Sequence, residues 1–240
     1  MTRATIILEE VRAALRSEPR VRAAEHPINL AFDEGTLTME GEVADIAAKK
    51  LALEQAAAVP GVTHIIDRLH VAPAERQEDG LVRDSVRDAL IGEPAFAEIS
   101  IRVWNKGALE MIRCPNGARY VIELRVENGV VTLAGDVPGL DYKRLAGVLA
   151  WWVPGSRDVV NGLGVTPPEQ DNDAAMTEAV RIALEKDPFV NADQIRVSTK
   201  NSVVTLTGLV PKGSEREMAE YDAWYVFGVD KVVNKIVVRS

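Results

Sequence analysis

The fold is decided by a seven-residue stretch that occurs as Gly35-Thr-Leu-Thr-Met-Glu-Gly41, as Gly129-Val-Val-Thr-Leu-Ala-Gly135 and as Ser202-Val-Val-Thr-Leu-Thr-Gly208. The copies align without gaps. Apolar and polar residues alternate along each copy, which is the pattern of a half-buried β-strand. The closing glycine suits a position with positive φ or a close approach of backbone. The sequence therefore reads as a tandem repeat, and each copy can be extended outward in both directions.

A helix is predicted ahead of each copy. Leu15, Leu90 and Leu184 are each followed four residues later by a proline and preceded at minus four and minus eight by apolar residues. This i, i+4, i+8 spacing places the apolar residues on one face of an α-helix. An acidic residue and the proline then end the helix in every copy. Three amphipathic helices follow from the pattern.

A second helix and a last strand complete each copy. The second helices end at Pro60-Gly61, Pro154-Gly155 and Phe227-Gly228, where glycine supplies the usual C-terminal stop. The last strands are predicted from His64 to Val71, from Asp158 to Val165 and from Lys231 to Val238. This order predicts an α+β fold of three tandem αββαβ modules, each with two helices packed on one face of a three-stranded mixed sheet. The pattern leaves open whether the last strand joins beside the first or the second strand.

We place the modules at residues 1–73, 80–167 and 173–240, separated by short polar linkers that contain proline. The middle module is longer. Its first helix aligns with that of the first module at an offset of 75 and its later landmarks at an offset of 94, so about 19 residues are added. The added residues, about 95–119, alternate on both sides of an Asn105-Lys106-Gly107 turn signal and predict an extra β-hairpin. Two interpretations stay open: a decorated sheet edge, or a binding flap.

These motifs resemble the BON domain, named for bacterial osmotically inducible and nodulation proteins. Pro60-Gly61-Val62 after the second helix and Val233-Asn234-Lys235-Ile236-Val237-Val238 in the last strand match its pattern best. The resemblance extends over nearly the whole chain in three copies. Departures include Asp67, which stands where the other two copies have asparagine.

The resemblance implies a non-catalytic bacterial binding protein that is linked to osmotic or envelope stress and docks protein partners or membrane phospholipid. It also implies an alternative, because a BON-containing protein binds potassium: a cytosolic sensor of potassium or calcium. Such an ion would be held weakly by backbone carbonyls and acidic side chains. No other cofactor is expected.

Charge narrows the choice of partner. The chain has 28 Lys and Arg against 36 Asp and Glu, and each module has an acidic excess. An acidic surface is poor for nucleic acid, where neutralising phosphates dominates affinity, and we expect no nucleic-acid partner. It also disfavours electrostatic attachment to anionic bilayers. Lipid binding should therefore be weak and little affected by salt.

The sequence shows no apolar run of the roughly 20 residues that a membrane span needs, so we expect no transmembrane segment. No signal peptide is visible at the start, because Ile6, Ile7 and Leu8 run directly into charged helix residues. We therefore expect a cytoplasmic location, or a periplasmic one if a leader has been removed. Modules this small bury limited surface alone, so we expect packing between them and allow for an oligomer.

Aromatic residues are the candidate contacts for a partner or a membrane. Trp151-Trp152 and Trp224-Tyr225 occupy equivalent positions at the end of the second helix, where the first module has Ala57-Ala58. Adjacent helical residues point about 100° apart, so one ring of each pair is expected in the core and the other near a surface or junction. The rings then either fill contacts between neighbouring modules or form a docking surface. Trp104 in the extra hairpin is a further candidate.

The remaining residues indicate structure and not chemistry. Gly41, Gly135 and Gly208 are assigned backbone roles, as are the helix stops Gly61, Gly155 and Gly228. No catalytic residues and no metal ligands are predicted, because no nucleophile, phosphate or metal motif is present. The chain is therefore not expected to be an enzyme. The histidines, His26, His64 and His70, are expected at the surface or the core edge, and Cys114 is expected to be buried.

Overall fold

The helices and strands of the chain follow the order that the repeats predict. A computed structural model describes residues 2–239. Its α-helices are α1 (Arg3–Ser17), α2 (Ile46–Ala57), α3 (Asp79–Gly92), α4 (Leu140–Trp152), α5 (Asp173–Lys186) and α6 (Gly213–Tyr225). Its strands are β1 (Asn29–Asp33), β2 (Thr36–Val43), β3 (His64–Val71), β4 (Ser100–Asn105), β5 (Ala108–Arg113), β6 (Val121–Glu127), β7 (Val130–Val137), β8 (Asp158–Asn161), β9 (Gly164–Val165), β10 (Ile195–Lys200), β11 (Val203–Val210) and β12 (Lys231–Val238).

The first module is a mixed three-stranded sheet in the order β1-β2-β3. Strand β2 pairs antiparallel with β1 and parallel with β3, from Thr36 opposite His64 to Val43 opposite Val71. The last strand thus joins beside the second strand, which settles the point that the pattern left open. The helix α2 makes the crossover between the two parallel strands, as parallel pairing requires.

The predicted apolar faces of the first helices are confirmed. Ile7, Val11 and Leu15 of α1 are buried, and so are the corresponding residues of α3 and α5. In the first module they pack with Leu37 and Met39 of β2 in one hydrophobic core. Each first helix covers the inward face of its sheet because its apolar residues recur at the helical period.

The third module repeats this topology with the strand order β10-β11-β12. In the middle module β6, β7 and β8 take the same places, and the predicted extra hairpin is present as β4 and β5. Strand β4 pairs parallel with β6 and antiparallel with β5, which extends the sheet to the order β5-β4-β6-β7-β8. The fold class and the extra hairpin are therefore as predicted.

The last strand of the middle module differs from its prediction. It is interrupted at Gly162 and Leu163, so that β8 and β9 pair separately with β7. The amide of Gly162 donates to Leu133 O at 2.8 Å, and Leu163 turns into the core with 1% of its surface exposed. A glycine in a strand allows this local departure from regular pairing.

The glycine that closes the repeated strand has a specific backbone conformation. Gly208 has φ +154°, and a Cβ built on it would lie 2.1 Å from Gln194 O. Gly135 has φ +104°, and a Cβ built on it would lie 2.2 Å from Val121 O. Gly41 has φ +154°. The chain at the start of β1, β6 or β10 thus passes close to this glycine. The helix stops Gly61, Gly155 and Gly228 also have positive φ.

The chain divides into two compact units, residues 1–72 and 73–240. The first unit is the first module. The second unit holds the middle and third modules, which meet where α4 packs on α5 and α6. Most of the candidate aromatic residues lie on these helices.

Candidate functional site

Two aromatic rings stack where the middle and third modules meet. Trp151 at the end of α4 and Tyr225 at the end of α6 have ring centroids 5.2 Å apart and ring planes inclined by 15°. Both side chains are half-buried. Stacked rings of this kind contribute beyond the area that they bury. These rings therefore serve the junction between the modules, which is one of the two roles that the sequence left open.

The other two rings of the helix ends are also engaged. Trp152 donates its indole N–H to Asp222 Oδ1 of α6 at 2.8 Å, across the same junction. Trp224 is only 2% exposed, so the structure does not support it as a contact for a partner or a membrane. Its Nε1 has no hydrogen-bond partner within residues 2–239. One ring of the third module's pair is in the core and the other lies at the junction.

A buried arginine joins the modules as well. Arg144 of α4 is 2% exposed; its Nε donates to Phe227 O at 3.0 Å and its Nη2 to Asp171 at 2.6 and 2.7 Å. Asp171 belongs to the linker between the modules, so the ion pair fixes the linker to α4. Hydrogen bonds between two charged groups are shorter and stronger than those between neutral groups. The neighbouring Lys143 places its Nζ 4.0 Å from the centre of the Phe227 ring.

Asp222 is the most perturbed carboxyl group of this junction. Burial raises its pKa to about 8, the indole of Trp152 opposes the change, and the carboxyl of Asp187 adds to it. Asp187 follows α5 and is 6% exposed. Burial and a neighbouring carboxylate both favour the protonated form of Asp222. No sequence pattern indicates the pair, because its members are far apart along the chain.

A groove of about 360 Å³ lies between α4 and α5. Its walls are mainly apolar and include Leu145, Val148, Ala179 and Ile182. The Lys186 Nζ donates to Glu93 Oε2 at 2.9 Å, which joins the two modules along the same side. The groove is thus a feature of the paired modules and not of either module alone.

The extra hairpin holds the remaining candidate, Trp104. It is 40% exposed, and Met111 on the paired strand is 49% exposed. Trp104 pairs directly with Leu109, and Arg102 pairs with Met111. Directly paired residues lie on the same face of a sheet. We call these four residues, Arg102, Trp104, Leu109 and Met111, the hairpin patch.

The hairpin patch faces away from the core. Ile101 and Val103, which alternate with its residues along β4, are buried with the core of the middle module. The patch therefore belongs to the side of the sheet that the helices leave uncovered. The strand β5 is also the outer strand of its sheet.

The structure also places the cysteine and a histidine that the sequence analysis considered. Cys114 is exposed, so its predicted burial is wrong; it follows β5 at the edge of the sheet. The ring of His64 is within 3.1 Å of Thr63 Oγ1. Among residues 2–239, no three His, Cys, Asp or Glu side chains are placed to hold a metal ion.

The fold and these surfaces define a protein built of tandem small αββαβ modules, with aromatic and ionic contacts between two of them and one exposed apolar hairpin. The chain belongs to the BON domain family: the family model described as BON domain matches residues 4–73, 119–167 and 172–240. The extra hairpin lies outside the matched segments. The residues that carried the resemblance in the sequence lie inside them.

One relative is the outer membrane lipoprotein DolP of Haemophilus influenzae, which is 34% identical over 110 residues. The aligned part is 44% of this chain and 56% of DolP, so the chain spans about half the length of this relative. Two solved structures of CdsD, a structural protein of the type III secretion system of Chlamydia trachomatis, are 15% identical to this chain. Each alignment covers 97% of this chain. The alignments cover 96% and 91% of the two CdsD chains, with TM-scores of 0.26 and 0.25. TM-scores this low do not indicate a shared fold.

The expected cytoplasmic location is wrong, because the relative DolP is an outer membrane lipoprotein. The alternative of a potassium or calcium sensor stays a prediction. Within residues 2–239, no helix is both long and apolar enough to cross a bilayer.

Proposed function

We propose that this chain is an envelope protein that binds without catalysis and docks on an anionic phospholipid surface through the hairpin patch. Two findings support the general class. The chain belongs to the BON domain family, and its relative DolP is an outer membrane lipoprotein. The hairpin patch supports docking on a phospholipid surface in particular.

The observation that carries the proposal is the exposure of Trp104 beside Met111 on the uncovered face of the middle sheet. Tryptophan is favoured at the boundary between lipid headgroups and acyl chains because its ring is apolar and its N–H is polar. Methionine adapts its shape to irregular apolar surroundings. Within the described residues, Trp104 is also the one candidate ring that is neither buried in a core, as Trp224 is, nor engaged at the junction of the modules.

The local charge favours an anionic surface. Residues 100–127, from the start of β4 to the end of β6, contain five Lys or Arg and three Glu, a net charge of +2 in a chain of net charge −8. Lys106 in the hairpin turn and Arg119 after the hairpin are both exposed. Basic residues near a membrane surface contribute about 1 kcal/mol each with anionic lipid. The even acidic excess of the whole chain therefore does not describe this segment. Binding should weaken as salt rises, in contrast to the small effect of salt that the overall charge predicts.

A flotation assay with vesicles tests the proposal. Wild-type chain should float with vesicles of phosphatidylcholine and phosphatidylglycerol and much less with phosphatidylcholine alone. Trp104→Ala should lower the partition coefficient by roughly three- to tenfold, since it removes an apolar group from the interface. Lys106→Glu should lower it as well, and the loss should be greatest at low salt.

Phe189→Ala is the matched control, because Phe189 is 71% exposed but belongs to the third module. Its partition coefficient should equal that of the wild type. Equal binding by Trp104→Ala and the wild type would contradict the proposal, as would absence of binding to both kinds of vesicle. In the second case the uncovered outer strand β5 would point to a protein partner that adds a strand to the sheet.

A further inference from the structure

The turns that join β1 to β2, β6 to β7 and β10 to β11 have the same conformation in all three modules. Glu34 and Gly35 have φ values of 44° and 89°, and the corresponding pairs in the other modules also have positive φ at both residues. This is the form expected of a tight two-residue hairpin turn. The backbone amides of the two turn residues are outside the strand ladder and need another partner.

In the middle and third modules, an aspartate supplies that partner. Asp79 at the start of α3 accepts hydrogen bonds from the amides of Asn128 and Gly129, one on each carboxylate oxygen, both at 2.8 Å. Asp173 at the start of α5 binds the corresponding turn in the same way, at 2.8 and 3.0 Å. These backbone hydrogen bonds hold the pKa of Asp173 below its ordinary value. The turn is thus a two-amide receptor for one carboxylate.

The first module has the receptor without the carboxylate. The register that aligns the buried residues of the first helices places Ala4 where Asp79 and Asp173 stand. A methyl group cannot accept a hydrogen bond. Within residues 2–239, the amides of Glu34 and Gly35 have no hydrogen-bond partner. The preceding position changes as well: Arg3 stands where the middle module has Glu78.

An open cavity of about 450 Å³ lies over this turn. Its lining includes Arg3 and Ala4 of α1 together with Gly35, and it extends over the apolar side chains of Ile7 and Phe32. The lining therefore combines the two turn residues whose amides are unbonded, an arginine and apolar side chains. That combination fits a carboxylate that carries an apolar group.

We propose that the first module binds such a carboxylate, as found at the C-terminus of a peptide that ends in an apolar residue or in a free apolar carboxylic acid. The two carboxylate oxygens accept from the amides of Glu34 and Gly35, as Asp79 does within the middle module. Arg3 neutralises the charge, and the apolar group lies against Ile7 and Phe32. This site goes beyond lipid docking, because it lies in another module and takes another class of ligand.

Two exposed carboxyl groups line the same cavity, Asp33 and Glu34, and they oppose an anion. The middle module shows that such neighbours do not exclude a carboxylate. Its turn binds Asp79 although Glu78 precedes that residue and Glu127 ends β6 beside the turn. Solvent and salt screen exposed charges of this kind, whereas hydrogen bonds to a carboxylate act at contact distance.

The test is an NMR titration of the full chain, observed at the amides of Glu34 and Gly35. N-acetylleucine should shift both signals in a saturable manner, and N-acetylleucinamide, which lacks the carboxylate, should not. Ala4→Asp supplies the internal carboxylate of the other modules, and aspartate is favourable in the first turn of a helix. It should weaken N-acetylleucine binding by roughly tenfold or more. Glu34→Asn, which introduces the residue that the other turns carry, should strengthen binding.

Several results would overturn the proposal: no saturable shift at either amide, equal shifts with the amide analogue, or equal binding by the Ala4→Asp variant. Inorganic phosphate binding more tightly than N-acetylleucine would also overturn it, because the apolar walls would then contribute nothing. A peptide with a free C-terminal leucine identifies the source. Tighter binding of the peptide than of N-acetylleucine supports a peptide ligand, and equal binding supports a free carboxylic acid at the same site.

Discussion

At the residue scale, one position at which the modules differ shows how a second residue compensates for a departure from the repeat. Asn161 and Asn234 donate from their side-chain amides to carbonyl groups of the second helix, at 2.7 and 2.9 Å. Asp67 replaces this asparagine in the first module and has no such donor. Instead, Lys49 of α2 is buried and places its Nζ 3.1 Å from Asp67 Oδ2 and 2.7 Å from Leu69 O. A charge pair thus links the same two elements that an amide links elsewhere.

A second residue-scale feature leads to a prediction about Gly208. Its φ is unfavourable for other residues, and a Cβ would lie within 2.1 Å of Gln194 O. Gly208→Val should therefore lower the free energy of unfolding by about 3 kcal/mol or more, because strain and a steric clash add. Thermal and urea unfolding of the purified chain measure the change.

Gly213→Ala is the control for this substitution. Gly213 lies at the start of α6, and nothing comes within 4 Å of a Cβ at that position. Alanine there should leave stability unchanged or raise it by up to about 1 kcal/mol. Equal unfolding midpoints for Gly208→Val and the wild type would refute the backbone role of this glycine.

The sequence was informative about residues whose role depends on local spacing. The acidic residue before proline marked the end of the first helix, and the structure shows what its side chain does there. The carboxylates of Glu18, Glu93 and Asp187 accept from the amide two residues later. The exposure of Cys114 could not be inferred in this way. Its burial depends on where the sheet ends, and β5 is the last strand on that side.

At the scale of elements, each first helix of the middle and third modules is tied to its hairpin turn by one side chain, and the third module makes this measurable. Asp173→Ala removes both hydrogen bonds to the turn amides of Asn201 and Ser202. The melting temperature at pH 7 should fall by a few degrees. Asp193→Ala, at an exposed aspartate of the same module, should leave it unchanged.

The pH dependence of this effect has a definite sign. Hydrogen bonds from Ser202 and Asn201 lower the pKa of Asp173 in the folded chain. Its contribution is therefore present above the pKa of the unfolded chain and is lost as the pH falls through the folded pKa. The difference in melting temperature between wild type and Asp173→Ala should shrink as the pH falls from 7 to below the ordinary aspartate pKa of about 3.9. A difference that stays constant over that range would contradict the assignment.

Strands and helices could be predicted where apolar residues recur at a regular spacing along the sequence. The β4–β5 hairpin followed from alternation around Asn105-Lys106-Gly107, and the structure places it as expected. The break between β8 and β9 was not predictable, because Leu163 continues the apolar pattern of the strand. Only its position against the core of the middle module shows why the chain bends at Gly162.

At the scale of the whole molecule, the junction of the middle and third modules contains a carboxyl group, Asp222, whose protonation makes stability depend on pH. Burial is the main cause that raises the pKa of Asp222 to about 8. Between about pH 4 and pH 8, the unfolded chain has released this proton and the folded chain retains it, so the free energy of unfolding falls as pH rises. Asp222→Asn removes the titration and keeps an acceptor for the Trp152 indole.

The Asn variant should be more stable than the wild type at pH 8 by about 1 kcal/mol or more, because it carries no carboxyl group that must be buried charged or bind a proton, and one pKa unit corresponds to about 1.4 kcal/mol. Its melting temperature should also vary less between pH 5 and pH 9. Asp193→Asn, at an exposed site, should follow the wild-type curve. Parallel curves for wild type and Asp222→Asn would show that Asp222 is ionised in the folded chain throughout.

The sequence predicted that modules would pack together but could not name most of the contacts. The rings at the helix ends were recognisable because Trp151-Trp152 aligns with Trp224-Tyr225. The stack, however, joins the first ring of one pair to the second ring of the other, Trp151 to Tyr225. A repeat pattern treats equivalent positions alike, so it cannot predict an asymmetric contact.

That asymmetry limits how the copies can be rearranged. Each of the two joined modules presents a different member of its ring pair, so neither can substitute for the other by simple exchange. The first module, with Ala57 and Ala58 at these positions, has no ring to offer in either place. An order of copies that separates the middle module from the third would lose the stacked joint, so these two copies have to remain neighbours along the chain.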